Sequence, residues 1–226
     1  MIATVRLEAR PQAVIFDMDG LMLDSERALL ECLAQVSREA GHALPEAFLL
    51  SLIGSSDAVT RQRIAERVGA DAVDALLRDS YTRYDAIVAA GVPHRPGIIE
   101  LLDTLAAHGM PRAVATSTRR PLALRKLEAA GLLGYFEHVA TSSDVAEPKP
   151  APDIYLLAAS KLGVEPAQCL ALEDSPTGVC AALAAGMSVI QIPDLLAPDD
   201  AVRALGHRIL GSLDDVRGLL QPLLTT

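Results

Sequence analysis

Residues 13–26 read AVIFDMDGLMLDSE. An apolar run, Ala13 to Phe16, ends abruptly in Asp17, and a second acid follows at Asp19, just before Gly20. A short uninterrupted apolar run suits a strand buried on both faces, as in parallel sheets covered by helices. The stretch therefore predicts a buried strand with two carboxylates at its carboxyl end, the edge at which open α/β sheets hold ligands. If the strand continued through both acids they would point to the same side, and Gly20 offers a turn that would alter this.

Outward from this strand, similar short runs occur at Ala113 to Ala115, His138 to Ala140, Cys169 to Leu172 and Ser188 to Ile192. Helical stretches separate them. Ile98, Leu101, Leu102 and Leu105 follow helical spacing and Gly109 supplies a stop. Pro121 suits a first helical turn, Leu124 and Leu127 continue its apolar face, and Gly131 ends it. From about Gly97 onward, strand and helix alternate, which predicts an α/β fold with a mostly parallel sheet. Between the first strand and that region, residues 26–93 carry helical periodicity and no convincing strand. ALLECLAQVSREAG, AVTRQRIAERVG and AVDALLRDSYTRYDAIVAAG read as amphipathic helices, mostly stopped by glycine. An all-helical insert over 26–93 is expected, with His94 to Gly97 marking the return to a core formed by 1–25 and 94–226.

The 226 residues are half hydrophobic with only 3% aromatics, so the core must be built from Leu, Ala, Val and Ile. A formal net charge of −9 repels polyanions, and no basic cluster with interleaved aromatics appears, which argues against nucleic acid as a partner. An anionic substrate would need local positive charge or a metal ion against that field. Cys32, Cys169 and Cys180 sit in apolar segments at no metal-binding or redox spacing, as expected of buried thiols in a reducing cytoplasm. The opening MIATVRLEAR mixes charges into apolar positions and does not read as a signal peptide. Ser175 to Pro193 is free of charge, yet Gly186, Gln191 and the bounding prolines favour a buried helix and strand over a membrane span.

Polar residues punctuate the ends of the other predicted strands or the loops beyond them: Thr116 and Ser117 after AVA, Lys149 in EPKPAPD, and Glu173 with Asp174 after CLAL. Each alone suits a cap or a surface position. Lys149 is the exception, because Pro148 and Pro150 restrain the backbone that places it. Together the set offers acids for a divalent cation, a hydroxyl and an ammonium group. Phosphoryl transfer gains chiefly from positioning and from neutralising phosphate oxygens, so Mg²⁺ with a lysine suits it. Asp17 and Asp174 match the preference of Mg²⁺ for a few carboxylates. An ionised aspartate can serve as the nucleophile once the repulsion is offset.

DMDGLMLDSE, ATST, EPKPAPD and LEDSPTGVCAALAAGM closely resemble, in order, the four motifs of the haloacid dehalogenase-like hydrolase superfamily, in the branch with beta-phosphoglucomutase-like enzymes and sugar-phosphate or phosphoglycolate phosphatases. The resemblance spans almost the whole chain. It implies a Rossmann-like core with a helical cap inserted after the first motif, and hydrolysis of a small phosphorylated metabolite. Asp17 would be the nucleophile, Asp19 the general acid and base, Thr116 a phosphate-binding hydroxyl and Lys149 the charge-neutralising lysine, with Ser117 beside them on the substrate. Asp174 would join Asp17 and the backbone carbonyl of Asp19 on Mg²⁺, with Glu173 acting from behind.

The haloalkanoate dehalogenases lack an acid equivalent to Asp19, so dehalogenation is disfavoured. Schiff-base chemistry needs a cap lysine, whereas Lys126, Lys149 and Lys161 all lie outside the insert. Receiver domains share an acid pair, a hydroxyl and a lysine but leave no place for the helical insert, and a non-catalytic scaffold would not need every motif position intact. A beta-phosphoglucomutase carries an arginine three residues beyond a cap glycine, where Asp57 follows Gly54 here, which favours a hydrolase over a mutase. The insert's Arg61, Arg63 and Arg67 are expected on a solvated helix face, and Gly54, Ser55 and Ser56 read either as a loop facing the site or as an ordinary turn.

Overall fold

The computed structural model describes residues 9–53 and 57–225, apart from the side chain of Asp57. Six strands, β1 (Ala13–Phe16), β2 (Arg112–Thr116), β3 (His138–Thr141), β4 (Cys169–Glu173), β5 (Ser188–Gln191) and β6 (Arg208–Ile209), form one sheet in the order β3-β2-β1-β4-β5-β6. Every neighbouring pair is parallel. This is the doubly wound order, whose connections reverse direction at the central strand. The strands expected from sequence are present, and β6, a two-residue edge strand, adds to them.

Helices α1 (Ser25–Glu39), α2 (Glu46–Leu50), α3 (Asp57–Val68) and α4 (Ala70–Ala90) follow β1, and α5 (Ile98–Ala107) leads back to the sheet. α6 (Arg120–Ala129), α7 (Asp153–Leu162), α8 (Pro176–Ala184), α9 (Asp200–Arg203) and α10 (Leu213–Leu224) complete the chain. The charge-free stretch forms α8 and β5, and among the described residues no helix is long and apolar enough to cross a membrane.

The two-residue period of the strands sorts the core into two layers. Ala13, Ile15, Ala113, Ala115 and Ala171 face one side and pack against Ala158, Ala159, Ala181 and Ala182 of α7 and α8. These small residues let helix and sheet approach closely. Val14, Phe16, Val114, Leu170 and Leu172 face the other side and meet Leu101, Leu105, Leu127, Val216 and Leu220 of α5, α6 and α10. Ala28 and Cys32 of α1 and Tyr84 and Val88 of α4 belong to this same layer, so the insert is rooted in the core. Leu33, Phe48, Leu49, Leu52, Ile64 and Val73, all from the helical stretch between β1 and α5, form a separate apolar cluster.

The chain leaves and re-enters the core side by side. Leu23 bridges His94 in antiparallel fashion, Asp24 N donates to Pro93 O at 2.8 Å, and Arg95 N donates to Met22 O at 2.9 Å. Arg95 also pairs with Asp194, whose side chain is almost fully buried.

Candidate active site

The strand ends at Phe16, and Asp17 N donates to Leu172 O at 3.0 Å, which ties the first acid to the neighbouring strand β4. Beyond it Gly20 takes a positive φ of 86°, open to glycine but costly for other residues. A Cβ on Gly20 would lie 2.2 Å from Asp174 Oδ2. Only a glycine lets the turn after β1 close so tightly on the end of β4.

Lys149 reaches in from the loop before α7 and is the hub of the site. Its Nζ donates to Asp17 Oδ1 at 2.6 Å, to Glu173 Oε1 at 2.6 Å and to Ala115 O at 3.0 Å. Glu173 is held rigidly in turn. Its Oε1 also accepts from Tyr155 OH at 2.7 Å, and its Oε2 accepts from Asp174 N, Ser175 N and Ser175 Oγ, each at 3.1 Å. Gly178, in the first turn of α8, makes room, because a Cβ there would lie 1.7 Å from Glu173 Oε1.

Asp17, Glu173 and Asp174 present carboxylate oxygens within 4.8 Å of one another, against the single charge of Lys149. Burial pushes the Asp17 carboxyl up to about 8; Lys149 opposes that rise, and Glu173 and Asp19 add to it. Burial and the neighbouring Asp17, Glu173 and Glu26 likewise hold Asp174 well above the usual carboxylate range. Three carboxyl groups crowded around one ammonium fit a hard divalent cation, whose charge would favour their ionised forms. Glu173 already accepts five hydrogen bonds, which leaves Asp17 and Asp174 as the freer carboxyl groups of the three.

The two acids of the first motif part company, as the turn at Gly20 allows. The carboxylate of Asp19 is not among the three clustered acids, and three donors hold it. Ser25 Oγ and Lys126 Nζ donate to Asp19 Oδ1 at 2.6 and 2.7 Å, and Thr118 Oγ1 donates to Oδ2 at 2.6 Å. Burial raises the Asp19 carboxyl, but Lys126, Ser25 and Thr118 more than offset it and leave the group below its ordinary range.

Thr116 is buried at the end of β2 and its Oγ1 accepts from Thr118 N at 3.0 Å, while Ser117 is exposed in the turn before α6. Sequence reading missed Thr118 and Lys126. The available signal for Lys126 was its place on α6, where it shares the buried face of Ala123 and Leu127. Arg61 pairs with Asp74, Arg63 donates to Ser51 O at 2.6 Å, and Arg67 lies 4.2 Å from the centroid of the Phe48 ring. These arginines thus brace the insert itself. Gly54, Ser55 and Ser56 lie outside the described residues. Cys32 and Cys169 are buried, whereas Cys180 is half-buried, and all three are free thiols.

Residues 14–192 match the family described as Haloacid dehalogenase-like hydrolase. Hexitol phosphatase A of Escherichia coli (strain K12) is 35% identical over 94% of this chain and 96% of its own length. Fructose-1-phosphate phosphatase YqaB of the same organism is 34% identical over 81% of this chain and 97% of its own. Among solved structures, a HAD family hydrolase from Deinococcus radiodurans R1 with bound phosphate and sodium superposes with a TM-score of 0.81 at 31% identity, covering 96% of this chain and 97% of that one. With a family match across most of the chain and relatives aligned over nearly all of it, the chain belongs to the haloacid dehalogenase-like hydrolases.

Proposed function

We propose that the chain is a Mg²⁺-dependent phosphatase that hydrolyses a small phosphorylated metabolite, a sugar or short organic acid phosphate, through an aspartyl-phosphate on Asp17. The observation that carries this reading is the position of Lys149, buried between Asp17 and Glu173 at 2.6 Å from each. An ammonium group there offsets repulsion between an attacking carboxylate and a phosphate dianion. The relatives named for phosphatase activity on hexitol phosphates and fructose 1-phosphate support the substrate class.

In the proposed reaction a carboxylate oxygen of Asp17 attacks phosphorus as the ester P–O bond breaks, and the leaving oxygen takes a proton from Asp19. Water then attacks phosphorus and gives a proton to Asp19, the bond from phosphorus to Asp17 breaks, and phosphate leaves with both acids restored. The buried Thr116 hydroxyl and Ser117 would orient phosphate oxygens. Asp17, Asp174 and the backbone carbonyl of Asp19 would hold Mg²⁺, which when bound neutralises negative charge on the phosphate. The helices over 26–93 would act as a cap on a core of 1–25 and 94–226, closing over the site to limit access of water. The free thiols fit a reducing compartment, and the cytoplasm is the proposed location.

A phosphate-release screen over small phosphorylated metabolites with Mg²⁺, run beside Asp17→Asn, tests the reading. Release by the parent and none by the variant supports it, and turnover by a folded Asp17→Asn protein overturns it. For hexose 1-phosphates, faster appearance of the 6-phosphate than of inorganic phosphate would instead identify a mutase.

A further inference from the structure

Lys126 is the least expected charge in the molecule. It sits in the middle of α6, 5% exposed, where helical spacing places an apolar residue. Burying an ammonium group is costly unless it is paired. Its Nζ donates to Asp19 Oδ1 at 2.7 Å and lies 5.2 Å from the centroid of the Tyr84 ring, on α4 of the insert. The ring covers the cation and adds a favourable contact between its π face and the charge. Two other donors share the carboxylate of Asp19: Ser25 at the start of α1 and Thr118 beyond β2. Those two are hydroxyls and can rotate away to other partners. Lys126 alone brings a fixed charge, and its cost is repaid only while Asp19 accepts from it.

We infer that Lys126 is a positioning residue for proton transfer: it anchors Asp19 from behind so that the carboxyl meets the leaving-group oxygen, and Tyr84 of the insert seals that anchor from water. This rests on the proposed acid–base role of Asp19. Lys126 touches neither phosphate nor nucleophile in this scheme and acts only through Asp19. Asp17 and Lys149 form a separate pair, so loss of Lys126 should leave the phosphorylation machinery standing and spoil the protonation of poor leaving groups.

The test compares Lys126→Met, of similar length, with Asp19→Ala and the double variant on 4-nitrophenyl phosphate, whose leaving group needs little protonation, and on phenyl phosphate, whose leaving group needs more. The readout is the ratio of kcat/KM on the two substrates, which reports the leaving-group step and not the shared hydrolysis of the phosphoenzyme, and from which any unfolded fraction of a preparation cancels. Removal of a general acid typically costs about 10²- to 10⁴-fold, and loss of its anchor should cost roughly 10- to 100-fold on phenyl phosphate, with a smaller loss on the nitrophenyl ester. The double variant should be no slower than Asp19→Ala alone, and Lys126→Arg should restore part of the ratio. Equal losses on both substrates, losses that multiply in the double variant, or no loss at all would overturn the inference. If Asp19→Ala itself left the ratio unchanged, the acid–base role beneath it would fail, whereas a shifted ratio in Asp19→Ala with an unshifted one in Lys126→Met would refute Lys126 alone.

Discussion

The ammonium of Lys149 donates to the carboxylate of Asp17 at 2.6 Å across 132 residues of chain. The pair is buried, and Glu173 shares the same ammonium. Taking one partner from a buried ion pair typically costs about 3–5 kcal/mol, because the remaining charge stays desolvated. Lys149→Met should therefore lower the urea midpoint by a free energy of that order and reduce phosphate release by about 10²- to 10³-fold, as expected for the loss of one donor to developing negative charge. A variant as stable and as active as the parent would remove Lys149 from its central place.

Asp174 makes the opposite kind of prediction. Burial and neighbouring acids raise its carboxyl, so burying this group costs the metal-free protein stability at neutral pH. Asp174→Asn should raise the melting temperature without metal, by about 2–4 °C for each kcal/mol relieved. The parent should gain about 2.7 kcal/mol when Mg²⁺ is present at 100 times its Kd, and the variant should lose that response. A Mg²⁺ shift as large in Asp174→Asn as in the parent would place the ion elsewhere.

Gly178 tests the rigidity of the site. Alanine ordinarily stabilises a helix relative to glycine, by about 1 kcal/mol. Here its Cβ would sit 1.7 Å from Glu173 Oε1, so Glu173 must shift, which disturbs its bond to Lys149. Gly178→Ala should cost about 1–3 kcal/mol of stability, as overpacking does, and should reduce phosphate release. Calorimetry showing the ordinary helical gain would contradict this account of why glycine stands there.

How much of this was legible follows from where each residue lies. Asp17, Thr116 and Glu173 close buried apolar runs, so the period of the strands pointed at them, and parallel pairing brought their ends together at the central strand. Lys149 announced itself through its flanking prolines. Lys126 and Thr118 did not, because their partner Asp19 is 107 and 99 residues away and only folding discloses the contact. β6, at two residues, is too short to show a period, and α2, at five residues, has little more. The apolar clusters explain why the insert's helices were nonetheless readable: their buried faces repeat over many turns.

Acid stability offers a prediction away from the catalytic acids. Asp144 accepts from Thr141 N at 2.8 Å, from Thr141 Oγ1 at 2.7 Å and from Arg120, which ties the end of β3 to the start of α6. The Arg120 hydrogen bond is the main influence on its carboxyl, burial works against it, and the Thr141 donors help bring the value down to about 2. A depressed carboxyl stabilises the fold above its ordinary pKa of 3.8, and that contribution fades as pH falls from about 4 toward 2. The pair is partly exposed, so the effect should be about 1 kcal/mol or less. Urea midpoints of Asp144→Asn should be less steeply dependent on pH in that window, and identical slopes for variant and parent would contradict the assignment.

In the proposed reaction phosphate passes through Asp17. The most direct measurement is to mix the protein with Mg²⁺ and ³²P-labelled acetyl phosphate, quench in acid, reduce any acyl phosphate with borohydride and locate the product by peptide mass spectrometry. Reduction of an aspartyl phosphate leaves homoserine, so homoserine is expected at position 17, with none in Asp17→Asn. Homoserine at another aspartate, or turnover of acetyl phosphate with position 17 untouched, would contradict it.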